Sequence, residues 1–119
     1  MTRDNQRLEV STFVKIRISA HKLFIEEGRY TKTPLEQRIC RLCKSSVEDE
    51  IHFVVKCCKL DIIRQEFYAK MTSIYPDFHS MNNVDKFTFI MNSHDYDINK
   101  MCITFIFRMY ELRQVILKV

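Results

Sequence analysis

The sequence predicts a mainly α fold, a small single domain of four to five helices, and three observations carry that expectation. At 119 residues the chain suits one hydrophobic core and is too short for two. It holds one Gly and two Pro, far fewer turn formers than a sandwich or barrel of many short strands needs. Its clearest hydrophobic period, from Cys102 to Ile116, has the three-and-four spacing of a helix. Apolar residues make up 46% and charged residues 29%, enough to build and solvate a core, which excludes a disordered tail.

Residues 8–27 carry two periods at once. Phe13, Ile16, Ala20 and Leu23 follow a helix, whereas Val14, Ile16, Ile18 and Ala20 alternate as in a strand. Helix is favoured from Ser19, a good N-cap, with its end near Glu27 and Gly28 as the left-handed closing residue. Residues 29–38 are polar, hold a Pro and show no period, so a connection is expected. After a cysteine-rich stretch, Leu60, Ile63, Phe67 and Met71 recur at helical spacing, with Asp61, Arg64, Gln65 and Lys70 between them. That amphipathic helix ends before Pro76.

A loop over 75–83 leads to a two-turn helix over 84–91 capped by Asn83. In the last helix Cys102, Phe105, Ile106, Met109, Leu112 and Ile116 form one stripe, with Arg108, Glu111 and Arg113 assigned to the other side. The chain 1–119 thus reads as a single domain whose C-terminal helical part covers 84–119.

The longest apolar run, Met101 to Phe107, falls short of the ~20 residues a spanning helix needs, so no membrane partner is expected. The opening MTRDNQRLEV has no apolar h-region, so the expected location is intracellular, nuclear or cytoplasmic, not secreted. A reducing compartment favours free thiols or metal thiolates over disulfides for the five cysteines. The net charge of +4 is uneven: 10 basic and 5 acidic residues precede Val47, against 9 and 10 after it. A modest N-terminal surplus of this kind permits phosphate binding.

Cys40, Cys43, His52 and Cys57 read Cys-x2-Cys-x8-His-x4-Cys. Two cysteines two residues apart aim both sulfurs at one ion, and four N/S ligands in tetrahedral array suit zinc. Protein would fill all four positions of this Cys3His knuckle, which makes the ion a single structural Zn2+. Glu48, Asp49 and Glu50 suit the start of a helix that turns Phe53 and Val54 inward. Cys58 competes with Cys57, since helix neighbours point ~100° apart, and spacing leaves the fourth ligand open between them. The opposing reading is core packing of the thiols, which is the expectation for Cys102 on its apolar stripe. His21, His79 and His94 lack a Cys or acidic partner at ligand spacing and read as surface or cap residues. There is no Gly-rich phosphate loop and no Gly-x-Ser-x-Gly elbow, and the acid pairs fit helix ends, so no catalytic residue and no enzyme are expected.

The run RICRLCKSSVEDEIHFVVKCCKL, followed by Arg64 and Phe67, resembles the zinc-binding region downstream of reverse transcriptase in non-LTR (LINE-type) retrotransposons. There Cys-x2-Cys, an acidic Glu-x-x-His step and a Cys-Pro follow in order. IRISAHKLFIEEGRY is similar to the helix that precedes the cysteines in invertebrate members, so the resemblance covers 16–70. It makes Cys40 and Cys43 the knuckle, Glu48 or Asp49 the acidic step, His52 the imidazole ligand and Cys57 the last thiolate; Cys58 stands where the family has proline.

The resemblance implies a module that binds RNA or DNA, without the polymerase itself. On that implication Arg17, Lys22, Arg29, Lys32, Arg38, Arg41 and Lys44 line a basic face against phosphates, and Tyr30 or Phe53 stacks on an unpaired base. In the second function class the zinc is only a staple, and Met101, Phe105, Phe107 and Met109 of the last helix bind a protein partner or a second copy. Against this stands an ordinary core helix.

Overall fold

The computed structural model describes residues 3–18, 21 and 23–118. Five α-helices carry most of them: α1 (Arg3–Arg17), α2 (Phe24–Tyr30), α3 (Asp61–Ile74), α4 (Asn83–Asn92) and α5 (Tyr96–Leu117). Among the described residues there is no strand, only an isolated antiparallel bridge between Ile39 and Val47. The mainly α, single-domain expectation holds.

The assembly is organised around α5, on which α1, α3 and α4 pack. Cys102, Phe105, Ile106 and Met109 are buried along it, so the expected stripe is a core face and its Phe105 and Met109 are taken up inside the chain. Phe105 stacks on Phe67 of α3 with ring centroids 4.0 Å apart and planes 8° from parallel. Phe78, from the short 3-10 segment Pro76–Ser80, meets Phe67 edge-on at 6.4 Å. Burying these rings with Met71 and Leu60 supplies the apolar area that holds α3 to α5.

Arg113 departs from its expected place. It was assigned to the polar side, yet it is 2% exposed. It follows Met109 by four residues, so helical geometry puts it on the buried face, where Glu48 meets its charge.

The N-terminal segment is also redrawn. In place of one helix from Ser19 to Glu27, the region holds α1, which ends at Arg17, and α2, which begins at Phe24; Ser19 itself lies outside the described residues. The strand-like alternation around Val14 has no structural counterpart: Phe13 and Ile16 are buried from one helical face while Val14 is exposed. For α4 the cap is Asn82, one residue before the expected Asn83, its Oδ1 accepting the Asp85 N–H at 2.8 Å.

Gly28 does not terminate a helix. It is buried within α2, and no glycine has positive φ. Its role is space: a Cβ there would lie 2.6 Å from both Cγ and Cδ of Arg38. That side chain cannot easily withdraw, because its Nε donates to the Thr33 carbonyl and its Nη1 to the Ile25 carbonyl, each at 2.9 Å. Gly28→Ala is therefore expected to destabilise the fold by about 1–3 kcal/mol, since the new methyl must displace a pinned guanidinium. Urea titration against the wild type measures it; an unchanged midpoint would contradict this packing.

Candidate metal centre

The segment between α2 and α3 builds the site in two halves. The first is a hairpin-like loop. The Cys40 N–H donates to the Ser46 carbonyl at 2.8 Å and the Glu48 N–H to the Arg38 carbonyl at 3.0 Å, clamping the ends. Inside it the Lys44 N–H reaches the Cys40 carbonyl at 2.9 Å, closing a tight turn with Lys44 left-handed at φ 58°. This turn brings Cys40 and Cys43 to one side. The second half is a short helical piece begun by Asp49, whose Oδ1 accepts the His52 N–H at 2.7 Å.

That piece becomes a π-helical turn over His52–Lys56, closed by the Cys57 N–H on the His52 carbonyl at 2.8 Å. A π turn spans five residues where an α turn spans four, so His52 and Cys57, five apart, come onto the same side. Phe53 and Val54 face inward as expected, Phe53 lying edge-on to Tyr110 at 6.3 Å. Phe53 is thus unavailable for stacking on a base.

The ligand atoms of Cys40, Cys43, His52 and Cys57 all lie within 4.8 Å of one another. Cys40 Sγ and Cys57 Sγ are 3.8 Å apart, and Cys43 Sγ is 3.2 Å from His52 Nε2. A tetrahedron of ~2.3 Å metal–sulfur bonds has edges of about 3.8 Å, and a disulfide would need ~2.05 Å, so the spacing fits four ligands around one ion. Three sulfurs and an imidazole are the donor set of a soft or borderline divalent metal.

Electrostatics favour the ligating thiolate at Cys40 and Cys43, and the protonated form at Cys57 and His52. The backbone N–H groups of Leu42 and Cys43 point at Cys40 Sγ, that of Ser45 at Cys43 Sγ and that of Lys59 at Cys57 Sγ. The Cys57 thiol, donating to Cys40, holds the Cys40 sulfur well below the ordinary thiol range, while Cys57 keeps the shared proton and is driven up. Burial raises Cys43, but the hydroxyl and backbone N–H of Ser45 outweigh it and leave it lowered. Burial alone would depress His52; the neighbouring Cys40 and Cys43 sulfurs reverse that and raise it. The His52 Nδ1 faces the Ser46 hydroxyl at 2.9 Å, which fixes the ring with Nε2 toward the sulfurs.

Cys58 is exposed and outside the group, so Cys57 is the cysteine of the pair that joins the four residues able to hold an ion. Cys102 is a core thiol, pushed up to about 12 by burial, as its stripe implied. His21 is buried, unlike a surface residue. Its Nδ1 accepts the Leu23 N–H at 3.1 Å and its Nε2 lies 2.8 Å from the Glu50 carboxylate, an acidic partner 29 residues away that local spacing does not reveal.

Two arginines near the centre escaped the sequence reading of roles. Arg64 of α3, assigned to the polar side of its helix, is 2% exposed. It donates to the carbonyls of Val54 at 2.9 Å, Cys57 at 2.7 Å and Phe53 at 3.0 Å, and it pairs with Asp61. The Phe53 and Val54 carbonyls belong to the π turn, and the Cys57 carbonyl, which also accepts the Leu60 N–H at 3.2 Å, follows it, so Arg64 caps the turn that delivers His52 and Cys57. The hint lay in its place, seven residues after Cys57. Arg113 is the other.

The expected cationic face is largely tied into the fold. Arg17 donates to Asn92 Oδ1 at 3.1 Å, and Arg29 pairs with Glu26 at 2.9 Å. Arg41 pairs with Glu27 at 3.2 Å and lies over the Phe24 ring at 4.3 Å. Arg38 crosses Gly28 to reach the two carbonyls described above. Lys32 and Lys44 stand exposed on left-handed turns, and Tyr30 is 86% exposed. Lys22 lies outside the described residues.

No described helix is long and apolar enough to cross a membrane. No family model matches the chain, and no curated protein or solved structure matches it.

Proposed function

We propose that the chain is a structural-zinc module that binds nucleic acid, built like the zinc-binding region beside reverse transcriptase in non-LTR retrotransposons. The observation that carries the zinc half is the Cys3His group, whose four N/S atoms lie within 4.8 Å of one another with hydrogen bonds aimed at its sulfurs. Such a centre keeps no position for water or substrate, which favours a staple over a catalyst. Zinc, when bound, supplies a fixed cross-link and no chemistry.

The nucleic-acid half rests on the loop beside the knuckle. Tyr30 offers an exposed ring, Lys32 and Lys44 are exposed cations, and Arg29 and Arg41 form exposed pairs that can trade a carboxylate for a phosphate. Fluorescence anisotropy of zinc-loaded protein with labelled single-stranded RNA and DNA tests it. Binding is expected to weaken with salt, with a log–log slope of about −1 to −3 for two to four phosphate contacts. Lys32→Glu with Lys44→Glu is expected to abolish it. Absence of binding at low salt, or binding indifferent to salt and to both substitutions, would overturn this reading.

A second reading, a zinc-stapled protein-interaction module, is favoured by Val10 and Val14 of α1 and Ile18 just past its end, exposed at four-residue spacing. Its signature is association that salt does not weaken.

A further inference from the structure

The buried pair between Glu48 and Arg113 joins positions 65 residues apart in a place where an apolar contact would serve the fold as well. Glu48 is 1% exposed and its carboxylate is fully engaged. Oε1 accepts the Phe24 N–H at 2.6 Å and Arg113 Nη2 at 2.8 Å, and Oε2 accepts Arg113 Nε at 2.8 Å. The same Oε2 lies 3.9 Å from Cys40 Sγ. A carboxylate is thereby held against the first sulfur of the metal group.

Charge counting shows why that needs Arg113. A divalent ion with three thiolates and a neutral imidazole carries a net charge of about −1. Glu48 brings this to about −2 in a site shielded from water, where unpaired charge is costly. Arg113 restores about −1. Its guanidinium is the buried cation beside Cys40, fixed by a two-point fork that a lysine cannot reproduce, with Nη1 further anchored on Gln114 Oε1 at 2.9 Å. No Lys or Arg of the 40–57 segment supplies this charge, since Arg41, Lys44 and Lys56 are all exposed.

We propose that Arg113 is a positioning residue of the metal centre, delivering from α5 the counter-charge that lets the anionic thiolate group and Glu48 coexist, so that metal affinity depends on α5 being docked. The inference rests on the metal reading above. Because linkage is reciprocal, metal binding tightens the docking of α5 by the same factor.

Cobalt(II) titration of the full chain, followed by zinc competition, tests this with four proteins: wild type, Arg113→Met, Glu48→Gln and the double variant. Charge balance gives the two single variants opposite signs. Arg113→Met is expected to weaken metal binding about 10- to 100-fold and to shift the cobalt–thiolate charge-transfer band, with the tetrahedral d–d bands kept. Glu48→Gln is expected to match or exceed wild-type affinity. The double variant, with the wild type's net charge, is expected to recover most of the loss. A pair acting only as a packing staple would instead weaken metal binding in both single variants with no recovery in the double, and that pattern overturns the proposal. If Arg113→Met does not fold, Glu48→Gln and the double variant still decide. Wild type that takes up no cobalt would remove the metal reading itself, whereas wild type that binds cobalt with an affinity Arg113→Met leaves unchanged would overturn only the role of Arg113.

Discussion

Stripping the metal from zinc-loaded protein with a chelator is expected to unfold the segment between α2 and α3 and to loosen α3 from α5. Structural zinc sites contribute roughly 10–16 kcal/mol near neutral pH, more than the ~5–15 kcal/mol net stability of a typical domain. The geometry makes the loss hard to absorb. Without the ion, the buried sulfurs of Cys40 and Cys57 share one proton, and the turn that presents them has an isolated bridge and a π turn in place of regular structure. Far-ultraviolet circular dichroism and a thermal melt with and without chelator measure the effect. Large helix loss, reversed by zinc, is expected; an unchanged spectrum and melt would contradict it. Acid works in the same direction, because protons compete for the sulfur and imidazole lone pairs and loading weakens as pH falls.

Arg64→Met is expected to be the most damaging single substitution outside the ligands, at about 3–5 kcal/mol. Methionine fills similar volume but leaves the Phe53 and Val54 carbonyls without this donor inside the core, and the Cys57 carbonyl with only the Leu60 N–H at 3.2 Å. Arg64→Lys is expected to rescue little, because one ammonium cannot reach three divergent carbonyls as a planar guanidinium does. Denaturant unfolding of the zinc-loaded variants gives the free energies. A Lys variant as stable as wild type would show that charge alone, and not the fork, holds the π turn.

The Cys3His group was legible in the sequence because its information is local: Cys40, Cys43, His52 and Cys57 lie within one short window, and the structure brings them within 4.8 Å of one another. The helices α3 and α5 were legible for a related reason, since Phe67, Met71, Phe105 and Met109 are apolar wherever the helix is buried. The misplaced residues are the ones whose partners are remote or whose type argues against burial. Arg64 and Arg113 were put on polar faces by their charge, although carbonyls or a carboxylate brought in by other segments satisfy them. His21 follows the same pattern through Glu50. Gly28 suggested a helix end because glycine permits left-handed backbone, whereas its missing Cβ is what the passage of Arg38 requires. The π turn could not be read from propensity. Only the five-residue step from His52 to Cys57 foreshadowed a relaxed last turn.

Native mass spectrometry of wild type, Cys57→Ser and Cys58→Ser, purified identically with zinc present, tests the central claim most directly. One tightly held zinc ion in wild type and in Cys58→Ser, and none in Cys57→Ser, is the predicted result. A metal-free wild type, or zinc kept by Cys57→Ser and lost by Cys58→Ser, would contradict it.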